Sequence, residues 1–109
     1  MLSREFRLPA TIKLLHSSFI RSAFFKVKYS HNSLPTSRFA FIVRKTVDKK
    51  AVARNRIRRL FRSCIEELLL EILPGYDMLF FLEKGIIDKR QEDLTRELRV
   101  VLKQNNLLQ

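Results

Sequence analysis

The sequence predicts an α+β fold: one two-layer sandwich domain spanning residues 1–109, a small sheet with helices packed against it. Three observations predict it. Apolar residues alternate in two stretches, helical spacing recurs in three others, and a short apolar run sits between turn signals. The resulting order is α-β-β-α-β-α, without an internal repeat. A chain of 109 residues with 46% hydrophobic content can fill one core, which excludes wholesale disorder.

"LPATIKLLHSSFIRS" (8–22) reads as a short helix, because Pro9 suits a first helical turn and Ile12, Leu15 and Phe19 follow at helical spacing. In "AFFKVKYS" (23–30), Phe25, Val27 and Tyr29 share one side and Lys26 and Lys28 the other, as in a half-buried strand. "HNSLPTS" (31–37) is a polar loop. "RFAFIVRK" (38–45) is a second strand, and the short loop between the two predicts an antiparallel pair. Residues 51–72 form a long helix that Pro74-Gly75 terminates. "YDMLFFLEKG" (76–85) reads as a buried strand. "DKRQEDLTRELRVVLKQ" (88–104) closes the chain as a helix with Leu94, Leu98, Val101 and Leu102 on one stripe.

Charge is unevenly placed. The formal net charge is +11 and the pI near 10.6. Residues 1–43 carry +6, residues 44–62 carry +8, and residues 63–109 carry −3. A positive field confined to the region before residue 63 predicts a polyanion-binding surface. "KKAVARNRIRRLFRSC" (49–64) places seven basic residues in sixteen, with no acid. Neighbouring like charges destabilise a helix by a few tenths of a kcal/mol per pair, so an external partner is expected to offset them.

At about 100° per residue, Ile57, Leu60, Phe61, Cys64, Ile65, Leu68, Leu69 and Ile72 share one broad arc of this helix. Asn55, Arg58, Arg59 and Arg62 cluster on another. Arg56 lies beyond them, and Arg54 sits at the edge of the apolar arc, where bracing the helix and touching a ligand are equally open. Arginine dominates this face, and its planar fork grips phosphate through two parallel hydrogen bonds.

Other chemistry is thinly represented. A single cysteine, Cys64, excludes an internal disulfide and a cysteine-based zinc site, and it lies in the apolar arc. His16 and His31 fall on different elements, the carboxylates lie away from the basic face, and no phosphate-cradling glycine loop exists. No catalytic residue and no metal ligand is assigned to the chain. "MLSREFRLPA" lacks the apolar core of a secretory signal and no run approaches a membrane span, so a soluble cytoplasmic protein is expected, without membrane contact.

"AVARNRIRRLFRSCIEE" (51–67) resembles the protein subunit of bacterial ribonuclease P. Arg54-Asn55-Arg56, followed by the run from Ile57 to Leu60, carries the resemblance, with "VRK" before it and "PGYDMLFF" after it. It spans roughly residues 5 to 104 and implies an accessory subunit of a ribonucleoprotein endonuclease. In that family a large RNA, using bound metal ions, removes the 5′ leader of precursor tRNA.

Carried over by position, Lys45, Arg54, Asn55, Arg56, Arg58, Arg59 and Arg62 would contact RNA. Phe25 and Tyr29 would line a cleft for the single-stranded leader. The resemblance further implies a left-handed βαβ crossover and magnesium in the holoenzyme, bound mainly by RNA. One protein per catalytic RNA, with precursor tRNA as substrate, completes the expected partners. The chain departs from the family pattern in its first segment, which is not Phe-rich, at Thr46 in place of a lysine, and at Lys49-Lys50 where a glycine is common. The alternatives are a basic structural RNA-binding protein, such as a ribosomal protein, and a duplex-DNA reader. Asn55 is almost alone as a base-reading amide on the helix, which disfavours the second.

Overall fold

The alternation that marks residues 23–30 becomes the second of four strands in the computed structural model, which describes residues 2–9 and 11–109. The strands are β1 (Ser18–Arg21), β2 (Phe25–His31), β3 (Arg38–Val43) and β4 (Tyr76–Leu82). Two helices, α1 (Ala51–Leu68) and α2 (Gln91–Gln104), and short 3-10 turns at Arg4–Phe6 and Lys84–Ile86 complete the order.

The sheet order is β1-β2-β4-β3. β2 pairs antiparallel with β1 and with β4, whereas β3 pairs parallel with β4. The expected pair of β2 and β3 is therefore corrected: β4 lies between them. The six residues that join β2 to β3 carry no information about a strand that arrives after α1, and β4 is the most buried of the four. A strand buried on both faces belongs at the centre, where both its edges are hydrogen-bonded.

The period of two assigns each side chain to a face. Phe25 and Val27, Phe39 and Val43, and Met78, Phe80 and Leu82 point to the helix-covered side. There they meet Phe61, Cys64, Ile65 and Leu68 of α1 and Leu94, Leu98, Val101 and Leu102 of α2. Phe25, Phe61 and Phe80 pack mutually, with ring centroids 5.0–5.6 Å apart. The apolar stripes read from both helices are the ones buried. α1 ends at Leu68 rather than residue 72; Ile72 instead bridges to Leu108, and the chain turns through Gly75 at φ +89.

The first predicted helix is absent: of the described residues in 8–22, none is helical, and Ser18–Arg21 is strand β1. The spacing that pointed to a helix is not a buried stripe, since Leu15 is 77% and Phe19 53% exposed. Leu8, Ile12 and Leu14 are the residues that pack, in an irregular segment laid against Ala40, Leu79, Ile42 and Phe81 on the outer face of the sheet. His16, at φ 52, turns the chain into β1. The element order is thus β-β-β-α-β-α, and the α+β two-layer architecture stands.

The end of the sheet is pinned by charge. Arg38 donates from Nε and Nη2 to the two carboxylate oxygens of Asp77 at 2.9 and 2.7 Å, and Asn32 Nδ2 donates to the same group at 2.8 Å. Burial alone would raise the Asp77 carboxyl; the hydrogen bonds from Arg38 and Asn32 overcome it and hold the pKa below the ordinary value.

Candidate nucleic-acid interface

α1 begins without a side-chain cap and without an acid in its first turn. Such a start is electrostatically open, since a positive helix end normally attracts a carboxylate. Arg54 ties the entering loop to the helix: its Nη1 donates to the carbonyls of Asp48 and Lys49 at 3.0 and 2.8 Å. Of its two open roles, bracing the loop is the one its geometry fits.

Asn55, Arg58, Arg59 and Arg62 come together, as their helical spacing requires, and with Val52 line a shallow hollow of 460 Å³. Arg58 donates to the Asn55 side-chain oxygen, which holds its fork in place. The Arg62 guanidinium lies 5.8 Å from the centre of the Phe41 ring, anchored against the edge strand β3. Arg58, Arg59 and Arg62 thus present three guanidinium groups on one arc of the helix, toward an external anion. Arg56 is not part of this set. It faces a separate hollow beside Asp48, Ile86 and Lys89, while Lys45 is exposed in the loop leading into α1.

Phe25 and Tyr29 do not form a cleft. Phe25 is 0% exposed at the centre of the core. Tyr29 is half-buried on the same helix-covered face, edge-on to Tyr76 at 6.1 Å. Strand aromatics that share a side with Val27 belong to the core by the same alternation that first revealed the strand.

The opposite face carries the missing features. A hollow of 200 Å³ on the outer side of the sheet is lined by Phe19, Lys26, Ile42, Arg44, Phe81 and Glu83, among others. Arg44 lies over the Phe81 ring at 5.4 Å, and Arg21 over the Phe19 ring at 6.0 Å. Lys26 Nζ is 3.3 Å from Glu83 Oε1. Rings interleaved with cations are what a single strand of nucleic acid needs, with stacking for bases and charge for phosphates. Sequence reading missed Phe19, Phe81, Lys26 and Arg44 as a group. Lys26 and Lys28 alternating with core residues mark which face is outer, and Phe81 has the parity of that face.

Cys64 is buried between α1 and α2, its Sγ 3.4 Å from the Leu60 carbonyl oxygen, and burial pushes the thiol pKa up. Among the described residues no three His, Cys, Asp or Glu side chains converge as a metal cage. Among the described residues no helix is long and apolar enough to cross a membrane.

Residues 13–106 match the family model for Ribonuclease P. A ribonuclease P protein component of Microcystis aeruginosa is 40% identical over 72 residues, 66% of this chain and 60% of that protein. One from Fusobacterium nucleatum is 36% identical over 84 residues, 73% of this chain and 75% of that protein. The match thus spans under two thirds of the Microcystis protein. The RNase P protein from Thermotoga maritima superposes with a TM-score of 0.75 at 20% identity, over 82% of this chain and 84% of that one. The protein from Staphylococcus aureus gives 0.73 at 21%, over 85% and 84%. The two structures share the fold, the family match covers nearly the whole chain, and together they place it: the chain belongs to the ribonuclease P protein family.

Proposed function

We propose that the chain is the protein subunit of a ribonuclease P holoenzyme, in which it assists removal of the 5′ leader of precursor tRNA. The basic face of α1 binds the catalytic RNA, and the outer sheet face holds the single-stranded leader. The observation that carries this reading is the presence of two different surfaces. One is a cluster of arginine forks suited to structured phosphate. The other is an aromatic and cationic hollow suited to unstacked bases.

The chain's part in catalysis is positional and electrostatic. Lys26, Arg44, Arg58, Arg59 and Arg62 lower the repulsion between two polyanions, and the rings of Phe19 and Phe81 fix the leader so that the scissile phosphate is presented to the RNA. Chemistry at that phosphate belongs to the RNA, which holds the magnesium, since among the described residues no three His, Cys, Asp or Glu side chains converge on a metal position. The leader grip favours precursor over product, because mature tRNA has nothing to place in the hollow. One protein per RNA, in the cytoplasm, is the assembly this implies.

Photo-crosslinking tests the assignment of surfaces. A photoreactive nucleotide in the leader is expected to label peptides 18–28 or 79–83 in the holoenzyme, and one in the catalytic RNA to label peptides from 52–62. Leader crosslinks confined to α1, with none on the outer sheet face, would overturn the division. A purely structural RNA-binding protein would engage through α1 and give no leader crosslink at all.

A further inference from the structure

Glu83 is the one carboxylate in the hollow on the outer sheet face. An acid there opposes phosphate binding, which calls for a reason. We propose that Glu83 reads a leader base by accepting a hydrogen bond from its exocyclic amino group, so that cytosine, adenine or guanine is favoured over uracil. The inference rests on the outer face being the site for the single strand.

The position of Glu83 is held from the backbone. Its N–H donates to the Phe24 carbonyl oxygen at 2.9 Å, and its extended conformation (φ −106, ψ 168) continues the alternation of β4, so that its side chain follows Phe81 on the same face. The next turn is pressed against the neighbouring hairpin. A Cβ on Gly85 would lie 2.7 Å from the Ala23 carbonyl oxygen, so only glycine permits this approach. Lys26 Nζ takes one carboxylate oxygen at 3.3 Å, and no described residue holds the other. One oxygen is anchored; the other has no described partner in the hollow that Phe81 also lines.

The chemistry selects the ligand. A carboxylate is acceptor-only, and the amino group of cytosine is its matched donor. Uracil offers carbonyl oxygens on either side of its single N–H, and these repel a carboxylate. At 200 Å³ the hollow is smaller than the ~300–1,000 Å³ typical of small-molecule pockets, which suits one planar ring. Arg44 over Phe81 and Arg21 over Phe19 remain for the flanking phosphates.

Short oligocytidylate and oligouridylate of equal length separate the outcomes, since their rings are the same size and their phosphate charge is identical. Binding to the full chain is read by fluorescence anisotropy at one salt concentration. The wild-type protein is expected to bind oligocytidylate about three- to tenfold more tightly, the range of one hydrogen bond to a half-exposed charged acceptor. Glu83→Gln, which offers both a donor and an acceptor, should tighten oligouridylate and erase the preference. Lys26→Ala should weaken both oligomers and keep it. Equal binding by the wild type, or a Glu83→Gln effect of the same factor on both, would overturn the proposal and leave Glu83 as a charge-damping cross-strand partner. Failure of the wild type to bind either oligomer would overturn the outer-face reading itself, and the base-reading role with it.

Discussion

Phe25 and Phe81 stand on neighbouring strands and do opposite work. Phe25 packs against Phe61 and Phe80 with nothing exposed, whereas Phe81 is half-buried under Arg44 on the outer face. Phe25→Ala should cost about 3–5 kcal/mol of stability, as for a large aromatic removed from a core, and urea denaturation reads it. Phe81→Ala should leave most of that stability and weaken single-stranded RNA binding by about 1–3 kcal/mol. If Phe25→Ala unfolds normally but abolishes leader binding, the face assignment is reversed. The distinction was available in the sequence through Lys26 and Lys28, which share a parity opposite to Phe25. Arg38 and Asp77 could not be paired by any such pattern, because a parallel register between distant strands creates the contact. The depressed Asp77 carboxyl stabilises the fold fully above the unfolded carboxylate value of about 3.9 and loses that contribution as pH falls through its lower folded value. Asp77→Asn should therefore flatten the loss of stability on acidification below about pH 4, measured by denaturation at a series of pH values. Arg38→Ala at neutral pH should cost about 3 kcal/mol, the low end for a buried charge left unpaired, because Asn32 still donates to it.

Among the elements, α1 was the most legible. Its apolar residues from Ile57 to Leu68 repeat at helical spacing, and its basic residues fall on a different arc, so burial and display follow from one periodicity. Replacing Arg58, Arg59 and Arg62 with Ala should reduce affinity for the catalytic RNA and flatten the salt dependence by up to about 0.9 per lost phosphate contact. Thermal stability should hold or rise, since like-charge crowding is relieved. A fall in affinity with an unchanged salt slope would mean that these arginines do not meet phosphate. The segment before β1 departs from the helix its sequence predicts, because Ile12, Leu15 and Phe19 imitate a helical stripe without forming a buried one. What decides its conformation is distant: the outer face at Ala40, Leu79 and Phe81 supplies an apolar bed for Leu8, Ile12 and Leu14, and β2 supplies hydrogen bonds to β1. Tertiary context overrides a weak local period there.

At the scale of the molecule, the charge partition read along the chain becomes a partition in space. Both proposed RNA surfaces draw on residues before 63, joined through the loop bearing Arg44, Lys45, Lys49 and Lys50, and only Phe81 and Glu83 of those discussed come from later. This field should steer association and make it fall steeply with salt. The insertion of β4 between β2 and β3, which makes the outer face continuous, has no local signature beyond the apolar run at 76–82. Both surfaces are proposed to serve an RNA catalyst. The most direct test of that role is cleavage of a precursor tRNA at low magnesium by the ribonuclease P RNA of the same source, with and without the protein. The account predicts stimulated cleavage at the mature 5′ end and no cleavage by the protein alone. Tight binding to that RNA without stimulation, or cleavage by the protein in the absence of RNA, would contradict it.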